Sequence, residues 1–207
     1  MSTIHDASVS GNTNRVRALL NAGVSLNSRN TTFQRTALHY AAEFGHLSTV
    51  RFLINRGAEV NARDAEGRTP LMNASIGGHL GVIRMLISHG ARLNTGDFFG
   101  ATALMYASSF GHPRVVRELI LGGANTNIRN QNNNQTARNQ ARNNATRRVF
   151  NNINRATATV QRIARSSALR RRMSHARRRA PARTVAAAVF HPARVNRMGG
   201  ANWLNQL

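Results

Sequence analysis

The chain has 207 residues, with 29 Arg, no Lys and seven acidic residues, for a formal charge of +22. It contains no Cys, which excludes disulfides, thiol nucleophiles and Cys-held zinc or iron–sulfur centres. Its apolar runs fall far short of the roughly 20 residues that a membrane helix needs, and Met1 to Asn14 lack a basic start followed by an apolar stretch. Neither a membrane span nor a classical secretory leader is expected. Work in a reducing compartment, cytoplasm or nucleus or both, follows.

The charge is divided. All seven acids precede residue 130, where they meet 13 Arg, whereas the last 78 residues hold 16 Arg and no acid. Such a split points to two parts with different tasks. The missing Lys is not a matter of codon bias alone, because a GC-rich genome would also deplete Asn, which occurs 24 times. Selection against ubiquitin acceptor sites is one reading; unusual ancestry is the other.

Taken in chain order, the first unit covers about residues 3–30 and holds Ala7, Gly11, Leu19, Leu20, Gly23 and Asn27. Matching positions return 34 residues later in a second unit, about 31–63, the extra residue falling in Asn30-Thr31-Thr32-Phe33. From there the step is 33: Thr36, Thr69 and Thr102; Ala41, Ala74 and Ala107; Gly45, Gly78 and Gly111; His46, His79 and His112; Leu53, Leu86 and Leu119; Gly57, Gly90 and Gly123; Asn61, Asn94 and Asn127. A fixed period of this length marks a repeat architecture.

The third unit, about 64–96, shows how each copy folds. Thr69-Pro70 starts a helix, Thr as cap and Pro in the first turn, and Gly78 stops it in a left-handed conformation. Val82, Ile83, Leu86 and Ile87 then have helical spacing over Leu80 to Ser88. Gly90 ends this second helix, and Asn94 to Gly100 form a turn-rich projection. The fourth unit, about 97–129, repeats the pattern. Residues 130–154 make a degenerate cap: Thr136, Ala137 and Ala141 continue the first-helix pattern with Arg138 in place of Leu, and Val149, Phe150 and Ile153 supply the apolar face of a second helix. Two short helices cannot bury their apolar faces alone, so the copies must stack.

The segments Arg35-Thr36-Ala37-Leu38-His39-Tyr40-Ala41-Ala42, Arg68-Thr69-Pro70-Leu71, Gly45-His46-Leu47 and Arg56-Gly57-Ala58-Glu59-Val60-Asn61-Ala62 resemble the ankyrin repeat. Met72 and Met105 depart from it where the motif has His, which weakens one inter-turn hydrogen bond per copy without threatening the fold. The resemblance, over about residues 3–154, implies an all-α ankyrin-repeat solenoid of stacked helix–turn–helix units with projecting loops. It also implies a monomeric, non-enzymatic interaction scaffold for a protein partner. The partner surface it implies is the concave side, built from loop tips and the exposed ends of first helices. By position this selects Phe33, Arg35, Glu43, Phe44, Glu66, Arg68, Ile76, Phe98, Phe99 and Phe110. Five of the eight Phe fall in this set, and an exposed apolar patch marks an interaction site. Packing of Phe44 and Phe110 over their helix ends is the alternative for those two.

No cofactor, metal or catalytic constellation is expected. His46, His79 and His112 stand a repeat apart, too far to share an ion bound at about 2 Å, and the resemblance makes them and His39 structural. Some ankyrin proteins are hydroxylated at positions matching Asn27, Asn61, Asn94 and Asn127, yet turn stabilisation accounts for these residues without modification.

The tail, 155–207, has Arg clusters at Arg170, Arg171, Arg172 and at Arg177, Arg178, Arg179. A disordered or marginally helical segment over Arg155–Arg179, ending at Pro181, is expected. Its forked cations suit phosphate, and nucleic acid, an import receptor or anionic lipid are its candidate partners. An alternative whole-protein reading makes the tail primary: a sequence-nonspecific nucleic-acid-binding protein that the repeats recruit. Compact ankyrin proteins of this build occur in large DNA viruses and intracellular bacteria, and the missing Lys suits a host-facing protein.

Overall fold

A computed structural model describes residues 3–153, 155, 156, 158, 159 and 162. Met1–Ala156 form one compact unit and Thr157–Leu207 a second. Among the described residues there are nine helices and no strand. Eight of them pair off: α1 (Ile4–Val9) with α2 (Thr13–Asn21), α3 (Ala37–Glu43) with α4 (Leu47–Asn55), α5 (Pro70–Gly77) with α6 (Leu80–Ser88), and α7 (Ala103–Ser109) with α8 (Pro113–Leu121). The ninth, α9, runs over 144–153, and residues 155, 156, 158, 159 and 162 are helical as well.

Helices of six to nine residues are too short to hold in water by themselves. Five of the eight therefore start on a strong local signal. Thr3, Thr69 and Thr102 are extended, and their hydroxyls accept the amides of Asp6, Met72 and Met105. Asn12 accepts the amide of Arg15 at the start of α2, and Pro113 sits in the first turn of α8. Packing supplies the rest. First helices α1, α3, α5 and α7 lie side by side in one layer, and α2, α4, α6 and α8 in a second. Between the layers, Leu38, Leu71 and Leu104 meet Val50, Leu53, Ile83, Leu86, Val116 and Leu119, all fully buried in one continuous cluster. Each such side chain contributes about 1.5–3 kcal/mol relative to exposure. Ala41, Ala74 and Ala107 are completely enclosed, keeping adjacent first helices close.

The joint between repeats is polar and specific. The C-terminal carbonyls of a helix lack partners within the helix, and here the next repeat provides one. His46 Nε2 donates to Val9 O at 2.7 Å, His79 Nε2 to Glu43 O at 2.8 Å, and His112 Nε2 to Ile76 O at 2.8 Å. Each ring lies against a glycine of the preceding repeat. A Cβ on Gly45 would stand 2.4 Å from His79 Nδ1, and the equivalent approaches at Gly11 to His46 and Gly78 to His112 are as tight. At the far end Asn143 takes the His position, donating to Gly111 O at 3.0 Å. A second ladder joins the loops: Asn27, Asn61 and Asn94 accept the amides of Glu59, Arg92 and Asn125 in the following repeat. These Asn side chains thus tie neighbouring repeats together rather than stabilising only their own turns.

One expectation needs correcting. The last unit lacks a first helix, since residues 137–140 form a turn. In the three middle units the second-helix cap comes ten residues after the Thr cap, whereas Asn143 comes seven after Thr136. Three missing residues remove almost one turn of helix, and Arg138 offers no apolar group to hold a short one. Ala137, Ala141 and Phe150 still bury against the stack.

Gly45→Ala and Gly57→Ala separate the joint from backbone strain. Both glycines have positive φ, but a Cβ at Gly57 meets nothing within 4 Å. Chemical denaturation should show a loss of about 1 kcal/mol for Gly57→Ala and about 2–3 kcal/mol for Gly45→Ala, where His79 must also leave Glu43 O.

Candidate protein-binding face

The projections between repeats fold around one acceptor side chain each. Asp64 Oδ1 accepts the amides of Glu66 and Arg68, both at 2.9 Å, and Asp97 Oδ1 those of Phe99 and Ala101 at 2.9 and 2.8 Å. Asn30 and Asn130 do the same for Arg35 and Gln135. The tips are then linked edge to edge: Ala65 N donates to Phe33 O, Phe98 N to Glu66 O, and Gln131 N to Phe99 O, at 2.8–3.1 Å. The result is a continuous rail of backbone along the stack.

Phe33, Phe98 and Phe99 stand on this rail, and Phe44 and Phe110 cap α3 and α7. All five rings are between 45% and 63% exposed. Arg35 lies over Phe33 at 5.3 Å from the centroid and Arg63 over Phe98 at 5.7 Å, contacts that restrain the rings without covering them. Phe44 also stacks beside His46 at 6.4 Å. At the position of Phe44 and Phe110, α5 carries Gly77, where a Cβ would stand 2.3 Å from His79 Nε2, and half-buried Ile76 precedes it.

The charged residues selected from the sequence are engaged with one another. Arg35 bridges Glu43 at 2.7 Å and Asp64 at 3.1 Å, while Arg68 bridges Glu66 at 2.7 Å and Asp64 at 3.3 Å. Arg35 thereby fixes the end of α3 to the next hairpin tip, placing Glu43 and Phe44 on the same side as the rail. Both arginines are largely buried and neutralised, so they shape the face more than they charge it. Desolvation alone would raise the Asp64 carboxyl, but amides of Arg68 and Glu66 and the two guanidinium groups outweigh it and hold the pKa below the usual value. Asp64 was not among the sequence candidates; an Asp just ahead of Gly67 in a turn was the available signal. At the next repeat Ala101 replaces Arg68, and Asp97 instead accepts the Tyr106 hydroxyl at 2.6 Å. Burial, then that carboxylate, pushes the phenol well above its ordinary value.

His39 is fully enclosed. Its Nδ1 takes Thr36 N at 3.2 Å and Thr36 Oγ1 at 2.9 Å, and Nε2 faces Arg68 O at 3.2 Å. Two donors on Nδ1 and an acceptor on Nε2 require a neutral ring protonated at Nε2. Burial accordingly drives its pKa from 6.5 to about 4. Among the described residues no three His, Asp or Glu gather as metal ligands, and no helix is long and apolar enough to cross a membrane. Arg170, Arg171, Arg172, Arg177, Arg178 and Arg179 lie outside the described residues, as do Pro181 and most of the expected tail helix.

Stacked two-helix units, tied carbonyl to side chain and presenting a rail of loop tips, define a repeat solenoid whose task is binding. Two family models, both described as ankyrin repeats (many copies), match it, one over residues 4–54 and 38–87 and the other over 86–139. The chain belongs to the ankyrin-repeat family, a family of protein–protein interaction modules. No curated protein matches it.

His39→Met puts at this position the residue that the fold buries at Met72 and Met105. Because the folded pKa lies below the unfolded one, the neutral His39 stabilises fully above pH 6.5 and loses that contribution as pH falls towards 4. Thermal melts should show the parent losing up to about 3 kcal/mol across this window, with the Met variant flatter there and slightly less stable at neutral pH.

Proposed function

We propose that the protein is a non-enzymatic adaptor that grips a protein partner on the Phe-lined rail and uses a separate basic tail for a second contact. Residues 1–154 serve as the binding domain and 155–207 as the tail. The observation that carries this reading is the group of five half-exposed rings, Phe33, Phe44, Phe98, Phe99 and Phe110, on tips and helix ends. Rigid aromatics raised on a hydrogen-bonded frame are suited to bury into an apolar partner segment. Arg35, Glu43, Glu66 and Arg68 hold that frame in register, and half-exposed Ile76 adds an aliphatic contact at the end of α5.

The 12 Arg of residues 155–207, with no acid among them, support nuclear import or polyanion attachment as the tail's task. Work in the cytoplasm, the nucleus or both fits these contacts. A chain of 207 residues without one Lys is suited to persist beside a host's ubiquitin ligases, which favours a host-interaction role for a large DNA virus or intracellular bacterium. The same charge supports the second reading, in which a sequence-nonspecific tail does the work and the repeats recruit it.

Phe98→Ala/Phe99→Ala in the full chain tests the first reading. Against a partner captured by the parent, calorimetry should show a loss of about 2 kcal/mol or more with the fold unchanged. Unaltered affinity removes these rings from the site. Neutralising Arg170, Arg171, Arg172, Arg177, Arg178 and Arg179 to Gln should leave partner affinity intact under the first reading and abolish function under the second.

A further inference from the structure

The side of the stack opposite the hairpin rail has a composition of its own. The second helices α2, α4, α6, α8 and α9 carry Arg15, Arg17, Arg51, Arg84, Arg114, Arg117, Arg147 and Arg148, all exposed. Against these eight they hold a single acid, Glu118. The other six acids lie in first helices or loops: Asp6 in α1, Glu43 in α3, Glu59 after α4, and Asp64, Glu66 and Asp97 at the tips. The carboxylates, though not the arginines, are therefore segregated within the repeat domain itself.

Five of these arginines form a register. Arg17, Arg51, Arg84, Arg117 and Arg148 each stand five residues after the cap residue of their helix, Asn12, His46, His79, His112 and Asn143. In the four complete repeats the preceding residue, Val16, Val50, Ile83 or Val116, is wholly buried, so the arginine emerges on the outer side of every second helix. With neighbouring helices packed about 8–10 Å apart, the row from Arg17 to Arg117 extends about 25–30 Å. Only Arg84 is paired with a carboxylate among the described residues, Glu118 at 2.9 Å. Arg17 and Arg56 both lie over the Phe52 ring, each 5.2 Å from its centroid.

We infer that this second-helix layer is a binding surface for the phosphate backbone of nucleic acid. A row of guanidinium forks, of which only Arg84 is ion-paired, matches a linear polyanion, and each strand of duplex DNA presents a charge about every 3.4 Å, so the row runs alongside about eight phosphates of one strand. The aromatics of the layer are poorly placed to stack on bases: half-buried Phe52 is engaged by two guanidinium groups and Phe150 is buried. Contact is thus with the backbone and tolerant of sequence. A membrane surface is a poorer match, because helices lying on lipid insert a wide apolar face, and here the large fully outward apolar residue is Leu121 alone among the described residues of the layer. The site is independent of the Phe-lined rail.

The test is a salt titration of the full chain binding a labelled mixed-sequence duplex, from about 50 to about 200 mM. R51Q/R84Q/R117Q should reduce the slope of log affinity against log salt by about 3, equally for unrelated sequences, whereas R51K/R84K/R117K should keep it. F98A/F99A should leave it untouched. An unchanged slope in the folded Gln variant, with all loss confined to R170Q/R171Q/R172Q, overturns the inference. So does a Gln variant that loses binding to phosphatidylserine vesicles but not to duplex. Should circular dichroism show the triple variant unfolded, R51Q and R117Q singly must each lower the slope by about 1, and no change in either overturns it.

Discussion

Everything in this molecule depends on one contact repeated along the stack: a histidine ring laid on a glycine and hydrogen-bonded to the last carbonyls of the preceding helix. No two-helix unit here buries enough apolar surface to offset the entropy of ordering its own chain. The histidine couples the units in register, satisfying a terminal carbonyl that the short first helix leaves open. It also sets how closely successive repeats approach, and thereby the spacing of every other periodic feature: the alanines between first helices, the Asn ladder, the joined tips and the outward arginines.

With spacing settled by the interior, the two outer sides are free to differ. The hairpin side gathers the carboxylates and uses them internally. Asp64 takes two amides and two guanidinium groups, Asp97 two amides and a phenol. The large apolar side chains that remain exposed there are aromatic. The second-helix side has almost no carboxylate to spend, so its arginines stay charged and open. One scaffold thus presents an apolar edge and a cationic edge, kept apart by the thickness of two helices.

The fold was legible in the sequence because its signals are local and repeated. Thr caps, Gly stops and Leu spacing each recur at 33 residues, and three copies leave little room for coincidence. Less legible was anything that depends on which neighbour a side chain reaches. Arg35 and Arg68 stand at positions typical of a binding surface, yet both turn to Asp64, 29 and 4 residues away. The turn in place of a helix at 137–140 hinged on a three-residue shortening that apolar matches at Ala137 and Ala141 concealed. The arginine row was hidden for the opposite reason. Arg51, Arg84 and Arg117 follow the same period as Leu53, Leu86 and Leu119, but a search for buried residues passes over the charged ones between them.

Interior junctions all share one lock, while the two ends do not. Asn12 and Asn143 occupy the His position in the outermost units, and the last unit is shortened besides. A duplicated 33-residue segment could therefore be accepted between existing repeats, finding a glycine on one side and a histidine on the other already cut to fit. Added beyond either end it would find neither. Such an insertion between repeats would lengthen both outer sides of the stack by one repeat.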